Sequence, residues 1–223
     1  MIFNKELIYK IIDNKIDKLK LKHLNEQELN TLYNALNLNH SLKELRLYSN
    51  EIKDITLLCK SLRNNSCLEC LELYNNQIED IAPLKFLEYN YCLQELYLNN
   101  NHIKDITPLK CLENNYLKYL NLSNNLIKDI TPLENNFCLK VLNLYNNQIK
   151  DFTSLKFLEK KSCLEILDLS SNKIKDITSL KLFLENNYCL KYINLNLYDN
   201  QISNQDKQKI VELSKLKRIN IDI

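Results

Sequence analysis

"LKYLNLSNNLIKDITPL" spans residues 117–133, and close variants of it recur from one end of the chain to the other. Set on their first leucine, the copies begin at Leu42, Leu68, Leu93, Leu117, Leu139, Leu164 and Leu190, in steps of 26, 25, 24, 22, 25 and 26 residues. The shared spelling is L-x-x-L-x-L-x-x-N-x-I, usually followed by x-D-I-T-P-L. The period of two over "LKYLNLSNN" is that of a short strand: Leu120 and Leu122 turn inward, while Tyr119, Asn121 and Ser123 alternate to the opposite face. Strands from successive copies then stack into one parallel sheet.

The ninth position is asparagine in six of the copies, Asn50, Asn76, Asn101, Asn125, Asn147 and Asn172, and Asn200 is its counterpart in the seventh. A chain that turns sharply after each strand leaves backbone groups inside, and an amide side chain can satisfy them with donors and acceptor together. A buried structural ladder is the expectation. Asp54, Asp80, Asp105, Asp129, Asp151 and Asp176 form a second column, expected to accept backbone hydrogen bonds at the turn before each helix. Thr107-Pro108 and Thr131-Pro132 read as a helix N-cap followed by proline at the first helical position, and Ala82-Pro83 keeps only the proline. Short helices such as "PLKCLENN" and "PLKFLEYN" then end on asparagine as a left-handed C-cap. The repeat from Leu117 has its helix clipped to "PLENN", which predicts a local change of curvature. In the seventh copy Asn200 follows Leu190 by ten residues instead of eight, which calls for a longer strand or a bulge near Tyr192 to Asn196.

This spelling and period resemble the leucine-rich-repeat family across nearly the whole chain. The resemblance implies an α/β fold: a right-handed, curved leucine-rich-repeat solenoid with a parallel β-sheet on the concave face and short helices on the convex face. Residues 1–41 then form an N-terminal capping helix and an atypical first repeat, with Ile16, Leu19 and Leu21 echoing the strand and "EQELNTLYNAL" the helix. Residues 42–202 hold the seven repeats. Residues 203–223 give a helix, opened by Ser203 with Asp206 as a capping box, and a terminal strand through Leu216, Ile219 and Ile221. All of this is one solenoid domain. Its last strand has no obvious cover, which truncation or an end-to-end homodimer would each explain. The helical stretches at the ends resemble ribonuclease-inhibitor-type repeats, and the middle "NNQIKDITPL" spelling resembles bacterial internalins and phosphatase-regulatory leucine-rich-repeat subunits.

Composition narrows the function. The chain has no glycine in 223 residues, which removes the residue that phosphate-cradling loops, dinucleotide fingerprints and nucleophile elbows require. Its 30 Lys and Arg nearly balance 28 Asp and Glu, so neither nucleic acid nor an anionic membrane is an expected partner. The opening "MIFNKELIYKIIDNKIDKLK" is too charged for a signal peptide, and no segment has the roughly 18 to 20 apolar residues of a bilayer span. A cytoplasmic protein is the expectation, with a secreted or host-delivered effector as the alternative.

Cys67, Cys92, Cys138, Cys163 and Cys189 all stand just before the first leucine of a repeat, where they read as small buried hydrophobes. Cys59 and Cys111 lie in convex segments. No terminal cysteine cluster of the secreted type is present, so reduced thiols are expected. Cys67 and Cys70 make a lone C-x-x-C, with one cysteine toward the core and one toward the concave face, so zinc is not expected. His23, His40 and His102 stand at no acid/base spacing, and the sequons at Asn39, Asn64 and Asn121 are chance features of an Asn-rich chain. No catalytic residue, metal or cofactor is predicted.

The outward positions of the strands are free of core duty and carry the functional information. A tyrosine appears in five consecutive repeats, at Tyr48, Tyr74, Tyr97, Tyr119 and Tyr145. It is flanked early by Glu44, Glu72 and Glu95 and later by neutral Asn and Ser. Tyrosine is rigid, large and amphipathic, and it is enriched at interface hot spots. The expected site for a partner protein or peptide is therefore a diagonal or zigzag band of Arg46, Tyr48, Glu72, Tyr74, Glu95, Tyr97, Tyr119, Asn121, Asn143, Tyr145 and Asp168. The expected function is a noncatalytic protein-interaction module. Resemblance to families built on such repeats adds two alternatives: a regulatory or substrate-recognition subunit of a phosphatase or ubiquitin ligase, and a pathogen or giant-virus host-interaction protein.

Overall fold

The computed structural model describes residues 3–113, 116–150, 163–186, 193–217 and 219–223. The predicted helix of the fifth repeat, with Asp151, lies outside them, as do Cys189, Leu190 and Tyr192.

Nine three-residue strands form one parallel sheet in chain order. They are β1 Lys18–Lys20, β2 Glu44–Arg46, β3 Cys70–Glu72, β4 Glu95–Tyr97, β5 Tyr119–Asn121, β6 Val141–Asn143, β7 Ile166–Asp168, β8 Asn194–Asn196 and β9 Asn220–Asp222. The strand centres pair in line, Leu19 with Leu45, then Leu71, Leu96, Leu120, Leu142, Leu167, Leu195 and Ile221. All of these leucines are buried, and with Leu47, Leu73, Leu98, Leu122, Leu144, Leu169 and Leu197 they form one continuous core. A buried leucine contributes about 1.5–3 kcal/mol, so the aliphatic ridge, repeated at every turn, dominates the stability. The architecture is the α/β leucine-rich-repeat solenoid, with the sheet on the inner wall.

The ninth-position asparagines form the expected spine. Asn125 Nδ2 donates to the carbonyls of Leu98 (3.0 Å), Leu122 (3.0 Å) and Ser123 (3.2 Å), and its Oδ1 accepts from Ile103 N (3.0 Å). Asn76, Asn101, Asn147, Asn172 and Asn200 likewise donate to a carbonyl of the preceding repeat, and each accepts a backbone N–H from it. The aspartate column also takes its expected place: Asp54, Asp80, Asp105, Asp129 and Asp176 Oδ1 accept the amide two residues on, at 2.7–2.9 Å. Those bonds, with the Thr hydroxyls beside them, hold Asp54, Asp105 and Asp176 below the usual carboxylate range.

Several details differ from the sequence expectation. Thr107 and Thr131 are not N-caps. They open 3-10 helices, Thr107–Leu112 and Thr131–Leu133, as Ala82 opens Ala82–Leu87, and no side chain caps them because the aspartate already holds the turn. Asn90 and Asn136 are not left-handed C-caps either, since Glu88 and Glu134 end their helices in the right-handed region, as Glu113 ends Thr107–Leu112; Asn114 and Asn115 lie outside the described residues. At the bends after β2 to β8 φ is positive instead, at Ser49, Asn75, Asn100, Asn124, Asn146, Ser171 and Asp199, and a left-handed asparagine behind a helix occurs at Asn14, after Lys5–Ile12. In a chain without glycine, short polar side chains take that conformation.

The convex asparagines do other work. Asn39, Asn65, Asn90 and Asn136 are buried, and they donate Nδ2 to Ile11 O (2.7 Å), Asn39 Oδ1 (3.5 Å), Asn65 O (2.9 Å) and Leu112 O (3.3 Å). They form a second amide column on the opposite side of these four coils.

In the seventh repeat the described strand, β8, keeps three residues and carries no bulge, and Tyr192 lies outside the described residues. Leu195 pairs with Leu167, so the two extra residues precede β8 and the repeat is in step at Asn200. The rim cysteines are not uniformly buried: Cys67 and Cys138 are half-buried, and Cys92 and Cys163 are exposed, because the position lies where the chain crosses from the convex to the concave side. Cys70, expected to be open on the concave face, is 5% exposed.

α-Helices flank the sheet at both ends, and β9 remains an edge strand paired with β8 alone. α1 (Lys5–Ile12) buries Leu7 and Ile11. α2 (Glu26–Leu36) starts with a full capping box between Asn25 and Glu28. α3 (Thr56–Ser61) and α4 (Thr178–Asn186) follow in the first and sixth repeats. α5 (Asn204–Lys217) begins with Ser203 Oγ accepting from Asp206 N at 3.1 Å while donating to the Asp206 carboxylate, so the pair caps without a reciprocal backbone bond at Ser203. Leu216 belongs to α5, where it is exposed, and not to the terminal strand. Among the described residues, no helix is long and apolar enough to cross a membrane.

Candidate protein-interaction surface

The strand alternation that buries Leu45, Leu71, Leu96 and Leu120 turns the predicted site residues onto the inner wall, and repeat register then decides which of them meet. Tyr48 and Tyr74, both at the seventh position, stack with centroids 4.5 Å apart and planes at 10°. Lys20 Nζ of β1 lies 5.2 Å above the Tyr48 ring. Its hydrogen bond and charge lower the pKa of Tyr48. Tyr97 at the fifth position and Tyr119 at the third form a second, tilted pair, 4.7 Å apart at 31°. Tyr97 donates to Glu95 Oε2 at 3.1 Å, and burial together with that carboxylate raises its pKa. Tyr145 stands in neither ring pair and is 40% exposed. The expected zigzag band is thus a stacked couple, a tilted couple and a separate tyrosine.

Beside the first couple lies an ion cluster. Arg46 reaches Glu44 Oε2 (3.0 Å) on its own strand and Glu72 Oε1 (3.3 Å) on β3, and Lys18 of β1 pairs with Glu44. Glu72 is 8% exposed, and burial raises its pKa despite the guanidinium beside it. Cys70 of the same strand is pushed up to about 12 by burial, which keeps it a thiol. Asn121, Asn143 and Asp168 help to hold the wall itself in shape. Their Oδ1 atoms accept the amides of Ser123 (3.0 Å), Tyr145 (2.9 Å) and Ser170 (3.0 Å), which closes the turn at the end of each strand. Asn196 does the same for Tyr198.

Tyr198, 64% exposed, occupies the same seventh position as Tyr48, Tyr74 and Tyr145. Setting the seventh repeat on Leu190 hides it, because that register starts two residues early. Lys18, Lys20 and Lys22 of the first coil also face this wall, and they line a recess with His23, Glu44 and Arg46. Among the described residues, no group of three or more His, Cys, Asp and Glu side chains is arranged to hold a metal ion.

Glu72→Gln is expected to leave the protein at least as stable at pH 7. Because the folded pKa is raised, the contribution of Glu72 is full below the ordinary carboxylate value of about 4.3 and is lost as pH rises through the raised one. Denaturant unfolding should therefore show the variant gaining on the parent between pH 4 and pH 7. A variant clearly weaker at pH 7 would mean that the Arg46 pair outweighs burial.

A stack of strand-and-turn units with an amide spine and an inner sheet wall relieved of core duty defines a solenoid protein-interaction module. The family model described as leucine-rich repeats in two copies matches residues 40–86, 93–135 and 139–182. The chain belongs to the leucine-rich-repeat family. Its solved structural neighbours include two internalins of Listeria monocytogenes. One is internalin C2, at 27% identity and a TM-score of 0.69, covering 97% of this chain and 82% of that one. The other is the internalin inlF, at 26% identity and a TM-score of 0.67, covering 94% of this chain. The chain spans only 61% of the length of inlF. No curated protein matches the sequence.

Proposed function

We propose that the inner wall of the solenoid binds a partner protein or peptide, with Tyr48, Tyr74, Tyr97, Tyr119 and Tyr145 as the aromatic contacts. Arg46, Glu72, Glu95, Asn121, Asn143 and Asp168 shape the surface around them. The observation that carries this reading is the two tyrosine couples, one stacked and one tilted, on a wall with no core to fill. Stacking pre-organises the rings, so little side-chain entropy is lost when a partner covers them. The role is noncatalytic, and residues 42–202 are the binding array.

The test is Tyr74→Ala, Tyr97→Ala and Tyr119→Ala together, with circular dichroism and denaturant unfolding to establish that the fold persists. Loss of one central interface tyrosine costs about 2 kcal/mol, a factor of roughly 30, so partner capture should fall below detection. Unchanged capture by a folded triple variant would refute the reading. The likeness to internalins favours a second setting, outside the cell that makes the protein, and fractionation separates it from a cytoplasmic one.

A further inference from the structure

The inner wall is electrically polar along the solenoid axis. At the strand positions that face it, and at the bend that follows, the cations stand in the first two coils: Lys18, Lys20 and Lys22 with β1, and Arg46 on β2. From β3 to β9, none of these positions among the described residues holds Lys or Arg. Asp168, Asp199 and Asp222 occupy the last three coils, and the wall between, from Tyr119 to Ile166, is neutral: tyrosine, asparagine, serine and two aliphatic residues.

The charges already paired lie at the cationic end, where Glu44 is shared by Lys18 and Arg46, and Glu72 is held by Arg46. Glu95 on β4 is a further carboxylate of the wall, bonded to the neutral Tyr97, so the cationic surplus is confined to the first coil, at Lys20 and Lys22. At the strand entrances the charges cancel in cross-repeat pairs, Lys43 with Glu69 and Lys140 with Glu165. At the far end, the Asp168 and Asp199 contacts are to Ser170 and Ser171, which are neutral.

Nine strands at a spacing of about 4.8 Å make a wall of roughly 38 Å. That is several times the screening length of about 8 Å at physiological salt. Each end therefore acts only on the part of a ligand that lies over it. An extended polypeptide rising about 3.3 Å per residue crosses the wall in about 12 residues.

Building on the concave-face reading above, we infer that the inner wall orients an extended partner segment by charge, taking an acidic end over β1 and β2 and a basic end over β7 to β9. The tyrosine couples contact the stretch between. The polarity sets direction and encounter more than total affinity, which remains with the aromatic contacts.

The experiment uses synthetic peptides of about 12 residues, matched to the wall, with a Glu block at one end, a Ser/Tyr centre and a Lys block at the other. A nitroxide is attached by an amide bond to either end, so that the protein thiols cannot exchange it. Backbone NMR of the intact chain reads the broadening. The tag on the Glu end should broaden amides of β1 and β2 and spare β8 and β9, and the tag on the Lys end should do the reverse. Lys20→Glu with Lys22→Glu should weaken the peptide about tenfold or more at low salt and abolish the preference of the Glu end.

Equal broadening at both ends, or unchanged orientation in the charge-reversed variant, would overturn the polarity and leave the concave-face reading standing. Broadening confined to the convex side would overturn both. No broadening with either peptide would overturn the polarity alone, because the tyrosine substitutions test the face independently.

Discussion

Asn101→Ala is expected to destabilise the protein by about 3–5 kcal/mol, a large share of the roughly 5–15 kcal/mol that holds a domain together. The side chain donates to Leu73 O (3.0 Å), Leu98 O (3.0 Å) and Asn99 O (3.3 Å), and it accepts from Ile78 N (3.0 Å). Truncation strands these buried groups where no water replaces the amide, and each unsatisfied one costs about 1–3 kcal/mol. Asn101→Asp keeps the shape and discriminates further. A carboxylate can still accept from Ile78, but it places charge against three carbonyl oxygens, so this variant should be the weaker of the two at pH 7 and should recover toward pH 4, where protonation restores one donor. Denaturant midpoints at the two pH values check both statements. A loss below about 1 kcal/mol for Asn101→Ala would mean that the spine is not what closes the turns.

Leu120→Ala should be the next most damaging change, at about 2–5 kcal/mol. Leu120 is fully buried at the centre of β5, between Leu96 and Leu142, and the removed atoms leave a cavity that stiff neighbouring coils cannot fill. A solenoid is stabilised by contacts between adjacent repeats, so a central cavity weakens two such interfaces at once. Ile221→Ala on the terminal strand, where the side chain is half-buried and has a neighbour on one side only, should cost much less. Equal losses at the two positions would contradict the nearest-neighbour picture.

The repeat frame is legible in the sequence because each physical requirement is written six or seven times over. Among the described residues the inward leucines, the spine asparagines and the aspartates before the turns take their expected places. Asn39, Asn65, Asn90 and Asn136 mislead because an asparagine at the end of a helical stretch is the usual spelling of a left-handed cap, and only burial reveals a second amide column. The left-handed bend itself is hidden by the absence of glycine, the residue that normally marks it. Leu190 and Tyr192 fit the repeat template about equally, so only pairing across β7 and β8 could set the last register and bring Tyr198 onto the wall.

The candidate site is legible as a set of residues but not as an arrangement. Whether Tyr48 stacks on Tyr74 while Tyr145 stands apart depends on which positions of neighbouring coils come into line. The salt contact from Arg46 to Glu72 is of the same kind, since it joins residues 26 apart in the chain that the register sets side by side.

Amide hydrogen exchange tests the central claim most directly. Ile78, Ile103, Ile127 and Ile149 lie in irregular segments outside the strands, yet each backbone N–H donates to the Oδ1 of the next repeat's asparagine at 3.0 Å. Native-state exchange should find these four amides protected to the same degree as the amides of Leu98, Leu122 and Leu144, which bond across the sheet, opening only with global unfolding. Exchange of the four at the rate of solvent-exposed loops, with the sheet still protected, would contradict the account.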